Sequence, residues 1–518
     1  MKPRHALIHP LAFSAFSIVS VMATNIEKSS LVGGVRALAA APALGFATLL
    51  VFYFITRRIE QAAAMTSISV LFFFAYGHVM NGAYTSLSDG SLFPLMTGAI
   101  WTGLWGLAML ALVRTRRSIP LLTAVLNAAA LGALALPIWG IAAHEFELRQ
   151  PPVELSPQFE TIQPLSALPR EDAPPDIYYV ILDGYGRQDI LQGVLGFDNS
   201  SFISTLKDDG FYVADRSRSN YAQTALSLAS SLNMEYLDAL PASMGAQATD
   251  QLTLSQLIHS NKVMQILKEI GYHTVAFSTG YRRTEIETAD FYFRAPLSSP
   301  TPTESLILEL SSARIGWDLS RALGLKPGHP GYEYQRQQIE YVLDGLTKLS
   351  NVPRPRFVFA HIVAPHPPYV FGPDGSPRNP SVAFQTFDGS DFPGSTQEYV
   401  DGYVGQLRYI NARMSAVLEE ILAESDATPI VILQGDHGPG SRLDWESAAN
   451  TDLAERFGIL NAYLLPGNGD RLLSRDISPV NSFRVILNNY FGFRVPYLPN
   501  ESYFSNWDAP YNFAKIGG

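Results

Sequence analysis

The chain has 518 residues, no cysteine and a formal net charge of −10. No disulfide braces it, so its stability rests on packing, and an acidic balance without basic runs interleaved with aromatics argues against a nucleic-acid partner. Hydrophobic residues make up 47% of the sequence and are concentrated at its front.

From Ala6 to about His144 the apolar residues come in five blocks, at 6–24, 31–55, 62–83, 92–113 and 119–143. Each is near the roughly 20 residues that a helix needs to cross the hydrocarbon core. Helices of a soluble domain would carry charges at helical spacing along one face, and these blocks contain almost none. Residues 1–144 are therefore expected to form a five-span transmembrane domain.

Lys2 and Arg4 precede the first block, Arg57 and Arg58 follow the second, and Arg114, Arg116 and Arg117 follow the fourth. The loop around Asp89 has no basic residue. Basic loops stay on the cytoplasmic side. The expectation is a cytoplasmic (inner) membrane protein with its N-terminus inside and its C-terminal part periplasmic or extracellular. No small-residue cleavage pattern follows the first block, which reads as an uncleaved anchor.

Residues 145–175 turn Pro-rich and polar, as in RQPPVELSPQ, and read as a linker. From 176 to 518 strand-like and helix-like runs alternate, with helices near 261–270, 332–349 and 397–422 and strands near 272–277 and 459–465. That alternation predicts an α/β domain on a mostly parallel sheet.

Four runs in this region carry chemistry. Residues 176–184, DIYYVILDG, read as a strand covered on both faces and ending at Asp183. In 219–233, SNYAQTALSLASSLN, Thr224 stands at the entry to a helix, where N-terminal amides favour an anion. Taken alone, Thr224 reads as an N-cap, a common threonine role. Residues 356–369, RFVFAHIVAPHPPY, read as a strand leading to His361 and His366, and 429–438, PIVILQGDHG, as one that stops on Asp436 and His437.

Open α/β sheets bind ligands at the carboxyl ends of their strands. Asp183 and Asp436 with His437 are therefore candidates to converge on one divalent ion. Carboxylate oxygens suit magnesium or calcium, and an imidazole beside them suits zinc or manganese. The bland alternative is a polar turn after a core strand.

In this order LDG, TALSLASSLN, HIVAPHPPY and GDHG resemble the alkaline phosphatase and sulfatase superfamily, over residues 175–492. Within it the likeness is to the membrane-anchored lipoteichoic acid synthases and phosphoethanolamine transferases. The resemblance implies a sulfatase-like fold at 176–518, with Thr224 as nucleophile in the run Thr-Ala-Leu-Ser-Leu. Asp183, Thr224, Asp436 and His437 become ligands of a single divalent metal, since no histidine follows His437 to complete a second site. His366, in a turn of His followed by Pro and an aromatic, matches a substrate-binding histidine, and His361 is either a second pocket residue or a satisfied core histidine. Position 183 is often glutamate in the transferases and aspartate in sulfatases and phosphatases.

Sulfatases proper mature a Cys/Ser-x-Pro-x-Arg signature, and the Thr224 segment has neither the proline nor the arginine. Arg187, His259 and Asn261 are weaker substrate-binding candidates. The function expected is transfer of a phospho-headgroup from a membrane-lipid donor to an extracytoplasmic glycan or lipid acceptor. The alternatives are a membrane-bound phosphate- or sulfate-ester hydrolase and a non-catalytic ligand-binding component.

Overall fold

The structure is a computed structural model that describes residues 6–84, 93–115, 120–155, 174–325, 328, 330–380 and 384–517. Lys2, Arg4, the Asp89 loop, Arg116, Arg117 and most of the expected linker lie outside the described residues.

Five helices occupy the apolar blocks: α1 His9–Thr24, α2 Val35–Thr56, α3 Ile59–Tyr84, α4 Phe93–Arg114 and α5 Pro120–Leu148. Four stretches, Leu31–Thr56, Ile59–Asn81, Leu95–Arg114 and Pro120–Leu148, are long and apolar enough to cross a membrane. The first block falls short of the expected length because α1 has 16 residues. Pro10 opens it, and Asn127 Oδ1 accepts from the Ile8 and His9 amides at 3.1 and 2.9 Å, fixing where it begins. At its other end α5 continues through Leu148, into what the composition read as linker.

The chain divides into two compact units. One is Met1–Glu147 with Leu297–Tyr334 and Asn379–Phe384; the other is Leu148–Pro296, Gln335–Arg378 and Gln385–Gly518. The expected boundary near 175 missed that 297–334 belongs with the apolar helices. In that insertion, helix Pro302–Leu310 starts on a full capping box between Thr301 and Glu304, and helix Ala313–Ala322 follows it.

The second unit is built on a seven-stranded sheet ordered β2-β7-β6-β1-β5-β3-β4. Its strands are β1 Ile177–Leu182, β2 Tyr212–Val213, β3 His273–Phe277, β4 Phe291–Phe293, β5 Arg356–Ile362, β6 Ile430–Gln434 and β7 Asn461–Leu464. The central strands β6, β1, β5, β3 and β4 run parallel, and β7 is antiparallel to both neighbours. Every residue of β1, β5 and β6 is buried, which explains their unbroken apolar runs. Helices Thr224–Asn233 and Pro479–Tyr490 help cover one face, where Phe483 meets Tyr179 edge-on with ring centroids 5.0 Å apart.

Because β1, β5 and β6 are parallel neighbours, their C-terminal ends lie side by side. Three of the four chemical runs end there.

Candidate active site

Asp183 follows β1, His361 lies near the end of β5, and Asp436 and His437 follow β6. His361 Nε2 stands 3.2 Å from Asp183 Oδ2, and His437 Nε2 stands 3.4 Å from Asp183 Oδ1 and 3.3 Å from Asp436 Oδ2. The ligand atoms of Asp183, His366 and His437 lie within 4.8 Å of one another, as do those of Asp183, His361 and Asp436.

The turns that hold these side chains leave no room for alternatives. The Gly184 amide donates to Asp436 Oδ1 at 3.0 Å, and the Tyr403 hydroxyl donates to the Gly184 carbonyl at 2.8 Å. Gly438 sits so close to the chain at Glu455 that a Cβ there would stand 2.0 Å from the Glu455 carbonyl oxygen. Only glycine fits.

Thr224 is not the N-cap of its helix. Gln223 holds that position, and Thr224 is the first helical residue. Its hydroxyl instead lies 3.1 Å from His437 Nε2. The helix is tied to the strand end by Ser227, whose Oγ donates to the Asp436 carbonyl at 2.7 Å. Asp183, Asp436 and His437 are buried, whereas Thr224 and His366 are partly exposed, so the site opens on its hydroxyl and on one imidazole.

His366 faces a residue that the sequence did not mark. Its Nε2 is 3.6 Å from Asp388 Oδ2, which also receives Nη1 of the buried Arg456 at 2.6 Å, while Tyr399 donates to Oδ1 at 2.7 Å. Burial raises the Asp388 carboxyl, but Arg456, then His366, outweigh it and hold it below the ordinary range. Asp388 stands in an irregular segment and Arg456 in the five-residue helix Leu453–Phe457, too short to show a period; the available signal was an Asp-Gly pair at 388–389 like that at 183–184.

The remaining candidates have other work. His361 is buried and completes its bonding with Thr284 Oγ1 at 2.9 Å from Nδ1, so it is both a core histidine and a neighbour of Asp183. Asn261 is a helix N-cap, its Oδ1 accepting from the Met264 amide at 2.9 Å, and His259 Nδ1 lies 2.8 Å from the Glu285 carbonyl. Arg187 is held by Asp189 at 2.6 Å and by the Ser217 carbonyl. These contacts give Asn261, His259 and Arg187 partners within the protein, and their expected role in binding substrate stays a proposal.

The donor set fits a cation. The Gly438 carbonyl, 2.9 Å from His437 Nδ1, can only accept, so Nδ1 carries the hydrogen and Nε2 presents a lone pair. Burial, reinforced by Arg456, lowers the His437 value and keeps the ring neutral. Asp183 Oδ1 and Asp436 Oδ2 are buried without a hydrogen-bond partner among the described residues. Burial raises the Asp183 carboxyl, yet His366, then His361, hold it well below its ordinary value. Two carboxylate oxygens and an imidazole lone pair thus converge, as metal ligands do.

Residues 175–471, more than half of the chain, match the family model described as Sulfatase. The chain belongs to the sulfatase family. It is an enzyme of the sulfatase-like type, and its chain also holds four stretches long and apolar enough to cross a membrane. The non-catalytic alternative falls with that membership. No curated protein matches this sulfatase-family sequence.

Similar solved structures include the zinc complex of the C-terminal periplasmic domain of EcEptC from Escherichia coli, at 11% identity over 70% of this chain and 96% of that one, TM-score 0.43. The integral membrane lipooligosaccharide phosphoethanolamine transferase A of Neisseria meningitidis shares 12% identity over 93% and 95%, TM-score 0.41. The periplasmic domain of phosphoethanolamine transferase EptC from Campylobacter jejuni shares 13% over 62% and 91%, TM-score 0.38.

Proposed function

We propose that this sulfatase-family enzyme is a phosphotransferase in which Thr224 attacks the phosphorus of a lipid donor and passes the phospho-headgroup to an extracytoplasmic glycan or lipid hydroxyl. The observation that carries this reading is the Thr224 hydroxyl, free of any capping bond and 3.1 Å from His437 Nε2. Asp183, Thr224, Asp436 and His437 would hold one divalent ion, with zinc, manganese, magnesium and calcium all compatible with oxygen and imidazole donors. When bound, such an ion lowers the pKa of a coordinated hydroxyl and screens the charge of an incoming phosphate.

The chain's own groups account for the rest. The helix that begins at Thr224 points its N-terminal amides toward the reacting centre, where developing negative charge is favoured. Thr224 reacts as its alkoxide, its proton having passed to solvent before the donor binds. Its Oγ forms the new bond to phosphorus as the bond to the lipid alcohol breaks, and the same alkoxide is regenerated when the acceptor displaces it. His366 Nδ1 is fixed by the Pro367 carbonyl at 2.6 Å, leaving Nε2 toward Asp388 and the open side. Burial lowers His366, but Asp183 and Asp388 raise it above the ordinary histidine value. A protonated His366 delivers its Nε2 hydrogen to the departing alkoxide, and the neutral ring then takes the proton of the acceptor hydroxyl as that oxygen displaces Thr224. Water in the acceptor's place gives the hydrolase, a reading that Asp183 also suits.

Turnover of a phospholipid with a labelled headgroup tests the proposal. Thr224→Ala should lose activity by orders of magnitude while staying folded, and Thr224→Ser should keep part of it. Near wild-type turnover by folded Thr224→Ala would refute it. Label found on added acceptor marks the transferase; label released to water marks the hydrolase.

A further inference from the structure

The insertion 297–334 is joined to the apolar helices by close backbone contact. The Ser312 amide donates to the Phe73 carbonyl at 2.7 Å, and Arg314 Nη1 donates to Asn81 Oδ1 at 2.6 Å. At Gly77 a Cβ would stand 2.3 Å from the Glu309 carbonyl oxygen and 2.4 Å from Leu310 Cα, and at Gly98 it would touch Ile315. The helices Pro302–Leu310 and Ala313–Ala322 therefore pack directly on α3 and α4.

The depth of that contact matters. Phe73, Gly77 and Asn81 all lie inside the stretch Ile59–Asn81 that is long and apolar enough to cross a membrane. At about 1.5 Å per residue, Phe73 is roughly 12 Å in from the end of that stretch. An element packed there does not sit beyond the end of the span but alongside it.

Its outward residues have the matching chemistry. Leu319, Leu323 and Leu325 are 45%, 70% and 60% exposed, and Leu308 is 38% exposed. Several described charges are paired within the protein: Arg314 pairs with Asp318 at 3.6 Å as well as reaching Asn81, and Arg36 of α2 donates to the Leu297 and Ser299 carbonyls and to Glu304. A water-facing surface has the opposite arrangement. Charges paired within the protein and leucines presented outward suit a hydrocarbon environment.

We propose that helices Pro302–Leu310 and Ala313–Ala322, together with Leu323 and Leu325, are immersed in the bilayer and bind lipid acyl chains beside the ends of α3 and α4. The second helix meets α4 at Gly98, and α4 itself exposes Ile100, Leu104 and Leu107, which argues for lipid rather than a protein partner. This rests on the reading that α2–α5 span a membrane.

The chain has no cysteine, so single cysteines can be placed freely. Full-length Leu319→Cys and Leu323→Cys proteins, spin-labelled in phosphatidylethanolamine–phosphatidylglycerol liposomes, report collision with oxygen against a water-soluble nickel chelate. Leu107→Cys on α4, 65% exposed, serves as the lipid reference, and exposed Asp401→Cys as the aqueous one. Labels at 319 and 323 should favour oxygen several-fold, as the label at 107 does. If 107 favours oxygen while 319 and 323 follow 401, the proposal alone is overturned. Shielding of 319 and 323 from both reagents also overturns it, in favour of a protein partner or a second copy. A nickel-accessible label at 107 would refute the spanning reading and the proposal with it.

Discussion

Oδ1 of Asp183 stands 3.4 Å from Nε2 of His437, and no hydrogen is available to lie between them. The His437 Nδ1 hydrogen is committed to the Gly438 carbonyl, and Asp183 Oδ1 is buried without a partner among the described residues. Such a pair repels unless a cation is shared.

Metal should therefore stabilise the fold. Adding zinc or manganese to chelator-treated protein should raise its thermal midpoint, by the equivalent of about 2.7 kcal/mol when the ion is at roughly 100 times its Kd. Asp183→Asn and Asp436→Asn should remove most of that increase and lower the metal content found by elemental analysis. A midpoint unmoved by metal in the wild-type protein would contradict the ligand set.

Arg456 and Asp388 form a buried ion pair at 2.6 Å, with both side chains 3% exposed or less. Arg456→Met leaves the Asp388 carboxylate buried without its main counter-charge and should cost about 3–5 kcal/mol of stability. The double variant Arg456→Met, Asp388→Asn should recover part of that loss. An equal loss in single and double variants, read by denaturant unfolding, would show that the pair is not the source.

Much of this arrangement is legible in the sequence because β1, β5 and β6 are buried on both faces. Unbroken apolar runs identify such strands, and their ends identify Asp183, Asp436 and His437. Thr224 was legible through its motif, while its competing role as a cap could be decided only by locating Gln223 at the N-cap. Asp388 and Arg456 were illegible, since a loop and a five-residue helix carry no period and only the folded chain brings them to His366. The helices at 302–322 were read as part of the α/β domain because short helices look alike in sequence whether they face a sheet or a membrane span.

Glu285 gives a pH signature away from the metal ligands. Burial raises its carboxyl from 4.5 to about 7, with the Gly280 amide donating to Oε1 at 3.1 Å. The folded value lies above the unfolded one, so the stability it contributes is fully present below about 4.5 and lost as pH rises through about 7. Wild-type protein should lose on the order of 3 kcal/mol from this group across that window, and Glu285→Gln should show a flatter thermal-midpoint profile. Parallel profiles would contradict the assignment.

The account's central claim is that Thr224 becomes covalently phosphorylated. Wild-type enzyme should be incubated with metal and a phospholipid bearing an isotope-labelled phospho-headgroup, quenched in acid and digested. The peptide containing Thr224 is then analysed by mass spectrometry. The account predicts a mass increase equal to the transferred phospho-group, located on Thr224 and missing from Thr224→Ala. Sustained turnover with Thr224 unmodified, or an adduct located on Ser219, Ser227, Ser230 or Ser231 instead, would contradict it.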